Sequence, residues 1–369
     1  MKLNKKKILM LVQLPEPTHG VSVVNQSIMK SKLIRKSYHL DYVDISTSKN
    51  INEIDGFKFK KIFIFLKSFL ITFRKLILFK PDTVYFSVSL FGLGFFKDSF
   101  YIILCKIFHC KIICHLHRSG LAKKINHKKI IKFYYRFIFN DINIIHLSKS
   151  LRKDIKPFLN NNSKIAIINN GISKHKIKIK KKKNLISFVF LANLTESKGI
   201  KELLDSIMHL NKKTKLIKFN FNIIGNFTNT FSREDKKSFL KLNHIYNNVK
   251  FFGFQKGKKK YKILANSDLM IYPTKDDCFP LCILEALSYG LPVISTNVGA
   301  IPDIIKDKVN GIIIYKNNKK NIIRSIKYYL KNKNIIKKQS IVNEKLYNDF
   351  FNFEIFENNM VKTFKQLIK

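Results

Sequence analysis

The sequence predicts an α/β protein of two doubly wound parallel-sheet domains. Three observations carry this. The chain has 369 residues, more than a single compact core usually serves. Short apolar runs of β type alternate with longer segments of helix type, the pattern of a parallel sheet with helical crossovers. The alternation stops at a lysine-rich stretch without a core-forming period, 173–184, and then starts again.

In chain order, the first half offers strands at 7–14 (KILMLVQL), 83–90 (TVYFSVSL), 111–117 (KIICHLH), 143–148 (NIIHLS) and 164–169 (KIAIIN). The second half offers LISFVFLANL, FNFNIIG, VKFFGF, DLMIYPT, PVISTN and GIIIY, with helices such as GIKELLDSIMHL between them. The domains expected are 1–172 and 185–348, joined by the linker 173–184, with a terminal amphipathic helix over 349–369. No internal repeat exceeds this coarse echo. Ligands of open α/β sheets sit beyond the carboxyl ends of the strands, so the loops there should carry function.

The segment 57–80 (FKFKKIFIFLKSFLITFRKLILFK) is apolar over a helical length but punctuated by Lys and Arg. It reads either as an interfacial helix on an anionic membrane or as a sheet-packed helix with snorkelling lysines. The two are compatible if one edge stays exposed.

Apolar residues at 46% and aromatics at 13% exclude a largely disordered chain. The net charge of +46 invites nucleic acid, an anionic membrane or an acidic substrate. Lys, Ile, Asn and Phe are over-used throughout while Trp is absent, so coding bias alone, or bias plus an electrostatic role, both stay open. Cys105, Cys110, Cys114, Cys278 and Cys282 are odd in number and lack a CxxC spacing, which fits buried thiols in a reducing compartment better than disulfides or zinc. The opening MKLNKKKILMLVQLPEP lacks a small-residue cleavage site and fits a buried first strand. The longest uncharged runs are short or broken: 83–96 is 14 residues, and 286–302 holds Gly290, Pro292 and Gly299, whereas a membrane span needs about 20. A cytoplasmic protein, peripheral at the inner face of the cell membrane at most, is the expectation.

The chemistry concentrates at DCFPLCILEALSYGLPVISTNVGAIPD, 277–303, where Asp277 and Glu285 lie eight apart across the start of an apolar helix. Pro280 suits the first helical position. The amides of Leu281, Cys282 and Ile283 would then face whatever sits at that end, which favours an anion. Singly, Asp277 has a plain alternative as an aid to helix entry and Glu285 as a surface acid. Counted together with Lys198 and Gly199, between a strand and a helix in LANLTESKGIKELL, they suit a ligand that combines hydroxyls and phosphates, such as a nucleotide sugar.

These phrases resemble the family 4 glycosyltransferases of the GT-B fold, "glycosyl transferases group 1", retaining enzymes with two Rossmann-like domains facing a cleft. Their acid, seven residues, then Glu is matched by Asp277 and Glu285. In order around it stand PEPTHGVS, KPDTVYF, HLHRSG, IINNGIS, ANLTESKG, NIIGNF, VKFFGF and NGIII, so the resemblance covers nearly the whole chain. It implies that Glu285 holds the donor ribose and that Asp277 contacts the donor sugar. The amides around Phe279, Pro280, Leu281 and Cys282 would touch sugar and phosphate, and Lys198 would neutralise the diphosphate. From the first domain, Gly20 would admit the phosphates and His117 would contact the sugar. The terminal helix would cross back onto the first domain.

Three departures stand out. The usual first Glu is Asp277; Asn193 stands where many members have Arg; and the first loop reads HGV rather than two adjacent glycines.

The resemblance implies transfer of a UDP- or GDP-linked sugar to a glycan or lipid-linked acceptor, as in lipopolysaccharide or capsule synthesis, with the acceptor hydroxyl attacking the face that the nucleoside diphosphate leaves. No carboxylate is placed as nucleophile. No two Asp are two apart, hence no DxD, and neither a divalent metal nor another cofactor is expected. His115 and His117, two apart on a strand, lack a third ligand for zinc. The rivals are another GT-B activity, an epimerase or a phosphorylase, and a basic nucleic-acid-binding protein. For the last, no zinc finger, RNA-recognition signature or distinct basic helix is apparent.

Overall fold

The computed structural model describes residues 5–48, 59–125, 127–177, 185–213, 219–228 and 231–368. Among these the chain divides into two compact units, Met1–Asn170 with Glu354–Lys369, and Gly171–Phe353.

The first unit is built on β1 (Lys7–Val12), β2 (His39–Asp44), β3 (Thr83–Val88), β4 (Lys111–Leu116), β5 (Asn143–His146) and β6 (Ile165–Ile167). They form one parallel sheet in the order β2-β1-β3-β4-β5-β6. Both faces of β1, β3 and β4 are covered, which is why those strands read as unbroken apolar runs rather than alternating ones. Its helices are α1 (Gly20–Lys30), α2 (Lys32–Ser37), α3 (Phe59–Phe79), α4 (Gly92–Ile107), α5 (Leu121–Ile125), α6 (Lys129–Phe139) and α7 (Arg152–Ile155).

The second unit repeats the plan. Its strands are β7 (Ile186–Leu191), β8 (Phe219–Ile224), β9 (Val249–Phe251), β10 (Leu269–Tyr272), β11 (Val293–Thr296) and β12 (Gly311–Ile314), parallel in the order β12-β11-β10-β7-β8-β9. Around them lie α8 (Ile200–Lys213), α9 (Arg233–Ile245), α10 (Gly257–Ala265), α11 (Leu281–Ser288), α12 (Ile301–Ile304), α13 (Lys319–Lys331) and α14 (Lys333–Leu346). The fold is GT-B in class: two parallel six-stranded α/β units.

Strand β2 has no counterpart in the sequence reading. It is an edge strand with only Val43 buried, and its His and Asp residues disguise it. The terminal helix α15 (Phe353–Ile368) starts later than 349, because Tyr347–Phe351 forms a wider turn of π type. In α15, Phe364 packs edge-on against Tyr38 and Tyr85 at 5.7 and 5.8 Å. The Ser31 hydroxyl donates to Glu357 at 2.5 Å. These contacts tie the helix into the first unit.

Of the stretch expected as linker, residues 178–184 lie outside the described residues. Its start is held in the second unit: the His175 ring stacks on Tyr261 at 4.0 Å, and the Tyr289 hydroxyl donates to the His175 carbonyl at 2.8 Å. All five cysteines are free thiols.

Candidate functional site

In the second unit the strand order reverses between β7 and β10, the crevice where ligands of doubly wound sheets bind. The loops leaving these two strands are sewn together. Lys275 N–H donates to the Ser197 carbonyl at 2.7 Å, and the Thr274 hydroxyl reaches the same carbonyl at 3.1 Å. The first loop closes in a short 3₁₀ turn, Glu196–Lys198, ended by Gly199 in the left-handed conformation at φ 73°. A Cβ there would overlap the Pro273 carbonyl of the second loop, so glycine is what lets the loops approach this closely.

This closeness brings Lys198 and Asp277 together. The Lys198 ammonium donates to Asp277 Oδ2 at 2.7 Å and to the Asp276 carbonyl at 2.8 Å. The same Oδ2 accepts from the Tyr272 hydroxyl at 2.5 Å, and Oδ1 accepts from the Cys278 amide at 2.8 Å. Burial, then the Asp277 charge, pushes the Tyr272 phenol well up, so it stays a proton donor to the carboxylate.

Pro280 is the N-cap of α11, at φ −71° and ψ 119°, not its first helical residue. The amide of Ile283 is consumed by the Pro280 carbonyl at 3.2 Å. The amides left at this end are therefore those of Leu281 and Cys282, one fewer than expected. Phe279 is buried, its ring edge-on to Phe351 at 6.0 Å, so it can offer a ligand its backbone only. The Cys282 thiol is pushed up by burial and then by Asp277 and Glu285, which makes it inert. Asn193 lies in the loop after β7, its carbonyl accepting from Thr195 N–H at 2.9 Å.

The phrase VGA has a structural role. Ala300 N–H donates to the Cys278 carbonyl at 2.8 Å, and Gly299, at φ 56°, lies where a Cβ would overlap the Asp277 carbonyl. Gly299→Val is expected to cost about 3 kcal/mol or more through clash and backbone strain. The urea midpoint of the variant measures this, and an unchanged midpoint would refute the packing role.

Glu285, inside α11, does not join the Lys198 pair. Lys260 of α10 donates to its Oε1 at 2.6 Å, with side chains 17% and 14% exposed. Burial works against the Lys260 charge, but Glu285 and Tyr261 outweigh it and the ammonium's pKa is raised. Sequence reasoning missed Lys260 because five lysines crowd 256–262. The available signal was its place four residues before buried Leu264, on the apolar face of the helix.

In the first unit, Gly20 opens α1, and a Cβ there would meet nothing within 4 Å. His117 follows β4. Its ring centroid lies 4.1 Å from that of His115, whose Nδ1 is hydrogen-bonded to the Tyr85 hydroxyl at 2.6 Å. His146, at the end of the neighbouring strand β5, pairs with Leu116 in register. The Nε2 atoms of all three are buried without a hydrogen-bond partner. Among the described residues, no group of three or more His, Cys, Asp or Glu is arranged to hold a metal ion.

Burial, reinforced by the neighbouring histidines, pushes His117 down to about 3, and burial pushes His146 down to about 4. Both are neutral when folded and take up protons on unfolding. Stability is therefore full above the ordinary value of about 6.5 and is lost as pH falls from there toward 4 and 3, at roughly 1.4 kcal/mol per pH unit for each ring at most. The thermal midpoint should drop several degrees between pH 7.5 and 5.5, and drop less in His146→Gln, which separates the ring from the general repulsion of a +46 chain. Equal drops in both proteins would remove the histidines as the cause.

Residues 171–348 match the family model "Glycosyl transferases group 1". An uncharacterised glycosyltransferase of Methanocaldococcus jannaschii is 28% identical over 220 residues, 54% of this chain and 54% of that protein. The matches span only 54%, 64% and 60% of the first three curated relatives. Among solved structures, the sucrose-phosphate synthase of Thermosynechococcus elongatus superposes with a TM-score of 0.76 at 13% identity, covering 98% of this chain and 99% of that one. HepE of Anabaena, in complex with UDP, gives 0.71 at 15% identity over 98% and 100%. With the family's model lying over the unit that holds Asp277 and Glu285, residues 171–348 form a glycosyl transferases group 1 domain.

Proposed function

We propose that the protein transfers a sugar, with retention of anomeric configuration, from a UDP- or GDP-sugar to a glycan or lipid-linked saccharide in cell-surface polysaccharide synthesis. The observation that carries this reading is the joint placement of Lys198, Asp277 and Tyr272 with the free amides of Leu281 and Cys282 around the switch point of the second sheet. A cation and a helix N-terminus there suit a diphosphate. HepE, which shares the fold, is solved in complex with UDP.

In this reading Glu285 accepts hydrogen bonds from both ribose hydroxyls, which a carboxylate's two oxygens can do. Lys198 and the α11 amides neutralise the diphosphate as the bond to the anomeric carbon breaks, in place of a divalent cation. Asp277, with both oxygens engaged by the protein, orients Lys198 as well as meeting the donor sugar.

The test is calorimetric binding of uridine, guanosine and adenosine diphosphate sugars, followed by slow donor hydrolysis with and without EDTA. One donor should bind, its hydrolysis should be unchanged by EDTA, and the first-formed anomer, read by NMR, should keep the donor's configuration. An inverted anomer would overturn retention, and loss of activity in EDTA would overturn the metal-free reading. A protein that binds none of the donors would have the scaffold without the proposed activity.

A further inference from the structure

The outer side of the first sheet carries a surface that the donor reading does not use. Strands β2, β3, β4 and β5 are laid down in one direction across the sheet, so right-handed crossovers place α3, α4 and α6 on the same face. In α3 the exposed residues Phe63, Leu66, Leu70, Phe73 and Ile77 recur at steps of three, four, three and four, opposite buried Ser68, Thr72 and Leu76. One face of the helix packs, and the other presents an apolar stripe to solvent.

The same spacing occurs twice more. Leu93, Phe96 and Phe100 of α4, and Ile130, Phe133 and Phe137 of α6, are all exposed, at steps of three and four. The stripes adjoin. Phe65 of α3 lies 6.0 Å from Phe100 of α4, and Lys106 of α4 donates to the Phe137 carbonyl of α6 at 3.1 Å. Single exposed apolar side chains are ordinary, but three aligned rows form a patch that calls for an occupant.

Charge identifies the occupant. Helix α3 carries Lys60, Lys61, Lys67, Arg74 and Lys75, and α6 carries Lys129, Lys132 and Arg136, with no acid in either. The one acid in the three helices, Asp98 of α4, is buried and paired with Lys97 at 2.6 Å. Lys67 and Arg74 are exposed and flank the α3 stripe, each directly after one of its apolar residues. A second copy of the chain on this face would set cations against cations. An anionic bilayer accepts both parts: the apolar stripes enter the acyl boundary while the cations meet the headgroups. None of the described helices is long and apolar enough to cross a membrane, so the helices would lie in its plane.

We infer that α3, α4 and α6 form a three-helix platform that docks the first unit on anionic phospholipid. This extends the membrane contact expected of 57–80 alone, of which residues 57 and 58 lie outside the described residues.

The test is sedimentation of the full chain with vesicles of equimolar phosphatidylglycerol and phosphatidylcholine, or of phosphatidylcholine alone, with circular dichroism confirming that each variant is folded. Binding to the anionic vesicles should be at least ten-fold tighter and should weaken in 0.5 M salt. Phe63→Glu/Leu70→Glu on α3 and Ile130→Glu/Phe133→Glu on α6 should each lose about ten-fold. Lys67→Glu/Arg74→Glu, which leaves the apolar stripe intact, should flatten the salt dependence. Equal binding to both vesicle types overturns the proposal. So does wild-type binding by both apolar variants, which would assign adhesion to bulk charge. Loss in the α3 variant alone would reduce the platform to one helix, and a dimer that the α3 variant abolishes would make the face a protein contact. None of these readouts depends on donor binding, so the donor reading can fail without this one.

Discussion

Glu285→Ala is expected to weaken binding of the nucleotide-sugar donor at least 100-fold while leaving the second unit folded. A carboxylate held largely buried in α11 would accept two charge-assisted hydrogen bonds from adjacent ribose hydroxyls, each worth about 1.5–3 kcal/mol. Losing both removes about 3 kcal/mol or more, and every 1.4 kcal/mol is about ten-fold in affinity. The complication is Lys260, which donates to Glu285 at 2.6 Å from a site only 17% exposed. Removing the acid strands that ammonium, and a broken pair costs more than the intact pair is worth. The alanine variant should therefore also lose stability. Glu285→Ala/Lys260→Met resolves the two effects, since it should recover stability in urea but not affinity in the calorimeter. If affinity returned with stability, Glu285 would be a structural acid. If Glu285→Ala bound donor as the wild type does, the ribose role would be wrong outright.

The fold was legible where physics is local. Strands buried on both faces announce themselves as apolar runs, and β1, β3, β4, β7 and β10 lie within the segments that the sequence offered. Strand β2 was not legible: at a sheet edge only Val43 needs to be apolar. The same distinction separates the parts of the site. Asp277, Glu285 and Lys198 were legible as candidates because loop and helix-start positions follow from sequence spacing. Their partners Tyr272 and Lys260 were not, because each is defined by which element packs beside which. Tyr272 reads as the end of an apolar strand, and Lys260 as one lysine among five. The histidines show this most clearly. His115 and His117 share a strand face by period two, but the approach of His146 depends on β5 lying beside β4, which no local pattern encodes. The shift of Pro280 from first helical residue to cap is a displacement of one position. It still decides which amides remain for a ligand.

Lys198→Ala is expected to lower kcat by about 100- to 1,000-fold and to change KM far less. Negative charge grows on the departing diphosphate as the anomeric bond breaks, so a fixed cation stabilises the transition state more than the bound donor. The ammonium is fixed from three sides: by Asp277, by the Asp276 carbonyl, and by the Tyr272 ring, whose centroid lies 5.9 Å away. Lys198→Arg should recover little, because a planar fork cannot occupy a point-charge site with the same partners. Asp277→Asn gives the discriminating comparison. It keeps the shape but removes the charge that anchors Lys198, so it should lower kcat in the same direction and by less. Its effect should nearly vanish in the Lys198→Ala background if Asp277 acts mainly through the lysine. Additive losses would instead mean that Asp277 meets the donor sugar by itself. A Lys198→Ala enzyme within about three-fold of wild type in single-turnover donor cleavage would show that the diphosphate leaves without this cation. The burden would then fall on the amides of Leu281 and Cys282 at that end of α11.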